Sequence, residues 1–150
     1  MSLEKDISQR SFRNEYQKGI VNLIYTYNWM NEKMKIIFDK ADITGQQYNI
    51  LRILRGAGKP ISTLQIRERM LDKMSDTSRI VDRLVLKGLA KKGVCKDDKR
   101  LVDVSISIKG KVILEKIDQS NTDMDAIFGS LSESEARSLN KLLDKIRQSD

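Results

Sequence analysis

Only one stretch of this chain abandons the helical period. From Leu101 to Ile108 apolar and polar residues alternate. Val102, Val104, Ile106 and Ile108 share one face; Leu101, Asp103, Ser105 and Ser107 share the other. That is the pattern of a half-buried strand. Its antiparallel partner is expected at Leu89 to Lys96, across the polar tip Lys96-Asp97-Asp98-Lys99-Arg100. A lone hairpin among helices confines the chain to a mainly α fold with a small β-hairpin.

The helices are punctuated. Apolar residues recur at Phe12, Tyr16, Ile20, Leu23, Tyr27, Met30, Met34 and Ile37, in steps of three and four. This predicts one long helix, too long for a small domain to bury, so part of its stripe is expected to pack on another chain. Thr44-Gly45-Gln46-Gln47, Ser62-Thr63-Leu64-Gln65 and Ser132-Glu133-Ser134-Glu135 are capping boxes, each marking a helix start. Gly56 to Pro60 stops the helix that follows Thr44, and Lys87-Gly88-Leu89 ends another. Between them, Ser75 is expected to cap a helix with Thr77, Ile80, Val81 and Leu84 inward. A further helix opens over Ser107 to Gly110, with Val112, Ile113, Ile117, Met124, Ile127 and Phe128 as its apolar side.

Composition removes whole classes of function. With no His in 150 residues, imidazole acid/base chemistry, His-dependent nucleophiles and imidazole metal sites are excluded. A single Cys, Cys95, excludes an intrachain disulfide and any zinc site needing two thiolates. No Gly-rich phosphate loop or convergent carboxylate set is present, so no enzyme, cofactor or metal is expected. No apolar run is long enough to span a membrane, and residues 1–10 hold no signal core. A cytoplasmic protein with no membrane partner is the expectation.

Charge then points to a partner. Residues 1–43 carry seven basic and six acidic side chains, residues 44–110 fifteen and seven, and residues 111–150 six and eight. The net +7 of the chain therefore comes from a middle segment of net +8. A localised positive face suits a polyanion. The same segment reads helix, short helix, turn, helix, hairpin, which is a winged helix-turn-helix. In that motif the second helix of the pair enters the DNA major groove. Its outward residues are Ser75, Asp76, Ser78, Arg79, Asp82 and Arg83. Arg79 is the expected base reader, with Ser78 beside it, because Arg bonds guanine through two donors. Arg83 suits a phosphate. Asp76 suits either a cytosine amine or the helix dipole. Lys96, Lys99 and Arg100 put positive charge at the hairpin tip, where an Arg can enter a narrow minor groove, positioned by Asp98.

Arg79-Ile-Val-Asp-Arg-Leu84, Lys87-Gly-Leu89, Asp98-Lys-Arg100 and Val104-Ser-Ile-Ser-Ile-Lys-Gly110, in this order and spacing, resemble the MarR family of bacterial transcription regulators. The resemblance implies one domain over residues 1–150. Its dimerisation helices fall at about 8–40 and 110–148, with a winged helix-turn-helix lobe at about 44–109. It further implies a homodimer on a palindromic operator, acting as a repressor of double-stranded DNA sites and released by a small aromatic ligand. Three places depart from the family pattern: Lys99 where Arg is common, Leu71-Asp72-Lys73-Met74 where Gly-Val-Ser-Pro is typical, and Asp76 where Ser or Thr is frequent. Tyr25, Trp29, Met30, Met34 and Tyr48 are candidates to line an effector pocket. Cys95, in the wing, matches no redox-sensor pattern. The competing reading is a winged-helix adaptor that binds protein and reads no DNA sequence.

Overall fold

The structure, a computed structural model, describes residues 2–98 and 101–148. Its elements run α1 (Leu3–Asp6), α2 (Glu15–Asp39), α3 (Gly45–Ala57), β1 (Ile61–Ser62), α4 (Thr63–Arg69), α5 (Thr77–Leu86), β2 (Ala90–Val94), β3 (Val102–Ile106), α6 (Ile108–Asp118), α7 (Asn121–Asp125), a 3-10 turn at Ala126–Phe128, and α8 (Glu133–Arg147). The mainly helical architecture with one small antiparallel sheet is the one the sequence implies.

Local chemistry sets most boundaries. Thr44, Ser62 and Ser132 each close a reciprocal capping box, with Gln47, Gln65 and Glu135 reaching back to the cap. The Ser132 backbone N–H and hydroxyl hold the Glu135 carboxyl below its ordinary pKa. Gly58 and Gly88 stand at φ +65° and +71° after α3 and α5, a left-handed turn that costs glycine little. Helix α2 starts at Glu15, not before Phe12. Asn14 caps it by accepting from the Gln17 N–H at 2.9 Å.

Three sequence expectations need correction. Ile108 does not extend the strand: Ser107 accepts from the Gly110 N–H at 3.0 Å, α6 begins, and Ile108 is exposed. The helix expected through Phe128 breaks after Asp118, where the Ser120 N–H turns back to the Ile117 carbonyl at 2.8 Å. Ser120, Asn121 and Thr122 follow, and such residues offer the backbone local alternatives to helix. The sheet has three strands, in the order β1-β3-β2, because Ile61 pairs with Val104 and Ser62 with Asp103. A two-residue strand is too short to show a period. The brief helix α1, with Leu3 buried, was likewise not anticipated. Glu4 on α1 meets Lys18 on α2 at 2.6 Å.

The core lies in the middle of the chain. Ile50, Leu51 and Leu54 of α3 pack with Ile66 and Met70, Val81 and Leu84 of α5, Leu89, Val104, and Leu114 and Ile117 of α6. Phe38 closes one side against Tyr48, ring centroids 4.6 Å apart. Gly110 lies where α6 crosses the wing. A Cβ there would overlap the Leu89 carbonyl oxygen and approach Ile106 Cγ1 to 2.9 Å, so the close approach needs glycine. Arg55 of α3 grips Asp118 of α6 through two nitrogens, at 2.6 and 3.3 Å. That bond, together with the partner's charge, raises the arginine's pKa above its ordinary value. The apolar stripe of α2 is buried only at its end, at Ile37 and Phe38; Tyr16, Ile20, Leu23 and Tyr27 face solvent. Helix α8 buries no residue fully.

Candidate nucleic-acid interface

Helix α5 has one apolar and one polar side because its inward residues are spaced by three and four. Thr77, Ile80, Val81 and Leu84 are buried against the core. Ser78, Arg79, Asp82 and Arg83 are exposed on the other side, as the spacing requires.

The start of α5 differs from the sequence expectation. Its cap is Asp76, not Ser75: Asp76 Oδ1 accepts from the Arg79 N–H at 3.1 Å. Ser75 closes the preceding turn instead, its hydroxyl donating to the Asp72 carbonyl at 2.8 Å. The Asp76 carboxylate therefore has a structural task, and that favours the dipole-and-cap alternative for it.

Acidic groups beside the basic face are engaged with the fold. Asp82 pairs with Lys92, which projects from β2. Asp72 Oδ1 accepts from the Met74 N–H at 3.0 Å, and its Oδ2 from the Gln46 side chain at 3.1 Å. Among the described residues Arg67, Arg79 and Arg83 make no ion pair with a carboxylate. The positive charge of α4 and α5 is thus left facing solvent.

A cleft of about 460 Å³ separates α4 from the start of α5, lined by Thr63, Leu64, Arg67, Ser75, Asp76, Thr77 and Ser78. Hydroxyls beside a guanidinium are the donors a phosphate oxygen accepts from. The hydroxyl of Thr77 is buried and has no hydrogen-bond partner among the described residues.

The wing adds Lys91, Lys92 and Lys96, all exposed. Lys91 and the Lys92–Asp82 tie were not singled out from sequence. The hairpin register could have shown that Lys92 sits opposite Val104, but its reach across to α5 depends on packing. Lys99 and Arg100, the expected wing-tip contacts, lie outside the described residues, as does the expected Asp98–Arg100 pairing. Asp98 is half-buried, and its carbonyl accepts from the Leu101 N–H at 2.9 Å. Cys95 is half-buried. Among the described residues no group of three or more His, Cys, Asp or Glu side chains is placed to hold a metal. No helix there is long and apolar enough to cross a membrane.

The five candidate effector residues do not converge in the single chain. At about 100° per residue, Tyr25 and Trp29 lie roughly 100–180° around α2 from Met30 and Met34. Tyr25 and Trp29 are exposed, whereas Tyr48 packs on Phe38 with Arg52 over its ring. Neither described cleft includes any of the five; the second, about 300 Å³, is lined by Met124, Asp125, Phe128, Ala136 and Asn140.

A helix pair, an exposed second helix and a three-stranded wing define a winged helix-turn-helix lobe, here carried between long terminal helices. Residues 41–101 match the model of the MarR family. A mutant MarR from E. coli, complexed with operator DNA, superposes with a TM-score of 0.78 at 23% identity, covering 97% of this chain and 99% of that one. BpsR from Bordetella bronchiseptica, whose structure concerns regulation of DNA binding by 6-hydroxynicotinic acid, gives 0.79 at 20% identity over 93% and 99%. A MarR transcription factor from Planctomyces limnophilus gives 0.64 at 27% over 89% and 98%. A search among curated proteins finds no match. Residues 41–101 are thus similar to the MarR family, and the chain as a whole has the fold of these solved structures.

Proposed function

We propose that this chain is a sequence-specific, double-stranded DNA-binding transcriptional regulator, a repressor that acts as a homodimer on a palindromic operator. The observation that carries the reading is the outer face of α5. Ser78, Arg79 and Arg83 are exposed there, while Asp76 and Asp82 are tied into the fold. That face combines a base reader with phosphate contacts, on the helix that enters the major groove in proteins of this fold. Ser75 and Lys96, with Lys99 and Arg100 at the wing, extend the proposed contact along the backbone and into the minor groove. The exposed apolar positions of α2 and α8 support two-fold pairing through the terminal helices, about 8–40 and 110–148. Two lobes at 44–109 would then face two half-sites. The regulation of BpsR by 6-hydroxynicotinic acid supports release by a small aromatic ligand.

The test is selection of bound fragments from a random duplex library at near-physiological salt. Enrichment of an inverted repeat with half-sites about 10–10.5 bp apart is expected. Weak, unselective, salt-sensitive binding alone would overturn the reading and favour the adaptor. On the selected duplex, Arg79→Ala should cost about 1–3 kcal/mol of specific binding and change random-sequence binding little. Equal losses on both would make Arg79 a phosphate contact.

A further inference from the structure

The turn between α4 and α5 holds large apolar side chains in water. Met74 is 93% exposed, the most of the lobe's large apolar side chains among the described residues, and Leu71 82%; Leu86, Ile108, Val94 and Leu64 are exposed elsewhere on the lobe. This is the segment where Leu71-Asp72-Lys73-Met74 departs from the family pattern. The turn is built to stay in this shape. Asp72 accepts from the Met74 N–H and from Gln46 of α3, Asn49 accepts from the Leu71 N–H at 3.0 Å, and Ser75 donates to the Asp72 carbonyl. Bonds on both sides of Met74 thus fix its backbone two residues ahead of the Asp76 cap and leave its side chain outside. A single exposed apolar side chain is ordinary by itself; what singles out Met74 is its fixed place at the entrance to α5.

Its surroundings select a partner. Arg67 and Ser78 line the adjoining cleft, and Arg79 stands one turn into α5. The Asp72 and Asp76 carboxylates there are taken up by the Met74 and Arg79 N–H groups, and Met74 stands at the start of the helix that enters the major groove in this fold. The major groove offers one apolar feature per A·T pair, the thymine 5-methyl group, flanked by phosphates. We infer that Met74 packs on a thymine methyl near the end of α5, so that each half-site carries a required thymine there. The inference rests on the DNA-binding reading above and adds a residue that determines specificity.

The experiment replaces the thymines of the selected duplex by deoxyuridine, one position at a time. The pairing edge is unchanged and only the methyl is lost. Affinities are measured for the unaltered protein, Met74→Ala and Leu71→Ala; all should fold, because both side chains are exposed. One thymine per half-site should show a three- to fivefold loss with the unaltered protein, the order expected for burying one methyl. Met74→Ala should bind the thymine duplex three- to fivefold more weakly and no longer distinguish uracil from thymine at that position. Leu71→Ala should still distinguish them. The inference is overturned if no thymine is sensitive, if Met74→Ala keeps the sensitivity, or if Leu71→Ala abolishes it. In each of those cases duplex selection still succeeds and the DNA-binding reading stands; failure of selection itself would remove both.

Discussion

The middle of the chain and its ends use apolar residues in opposite ways. In the lobe, α3, α4, α5, the sheet and α6 close around Leu51, Ile66, Val81, Leu84, Val104 and Leu114, all fully buried. On α2 an equally regular stripe leaves Tyr16, Ile20, Leu23 and Tyr27 in solvent, and Leu142 and Ile146 do the same on α8. The ends are the more helical and the lobe holds the whole sheet, so helix formation by itself does not bury a stripe. The lobe's elements are short and fold back on one another. A 25-residue helix is about 37 Å long at 1.5 Å per residue, more than the roughly 30 Å diameter of a small domain. The lobe thus closes a core of its own, with Leu71, Met74 and Leu86 left outside it, whereas α2 leaves most of its stripe in solvent, a surface suited to a second copy.

The strongest way to break this contrast is the double substitution Ile20→Asp with Leu23→Asp. Sedimentation should show the mass falling from two chains to one while the lobe keeps its fold. An unchanged mass would mean that α2 does not pair. Gly110→Ala strikes the lobe instead: its methyl would meet the Leu89 carbonyl, and destabilisation of about 1–3 kcal/mol is expected in denaturant melts. A neutral result would show that α6 shifts freely over the wing.

Smaller effects sharpen the picture. Thr77→Val removes a buried hydroxyl without a partner and keeps the side-chain shape. A gain of about 1 kcal/mol is expected, because an unsatisfied buried donor costs that much or more. A loss would mean that the hydroxyl has a partner in solution. At the chain's start, Glu4 is held down to about 2, chiefly by its hydrogen bond to Lys18, whose own pKa is raised by the same contact. A depressed acid contributes stability that is present above its ordinary value of 4.5 and lost as pH falls through about 2. Docking of α1 on α2 should therefore persist at pH 4 and weaken toward pH 2, as NMR titration of the Glu4 carboxyl would show. Glu4→Gln should remove that acid transition, and its persistence would assign it to another group.

Much of this was legible without the fold. Capping boxes, the left-handed glycines, the outward face of α5 and the wing hairpin are all local: each depends on residues a few positions apart, whose backbone and side-chain chemistry acts over one or two turns. The charge balance of residues 44–110 is likewise a matter of counting. What tertiary structure alone decided are contacts between distant residues. Pairing of Ile61 with Val104 makes a strand from two residues with no period of their own. Lys92 reaches Asp82 only because the sheet packs on α5. Gly110 is required by a carbonyl twenty-one residues away in sequence. Local rules act through covalent geometry and neighbouring hydrogen bonds, whereas these juxtapositions arise only once the core has brought separate elements into van der Waals contact.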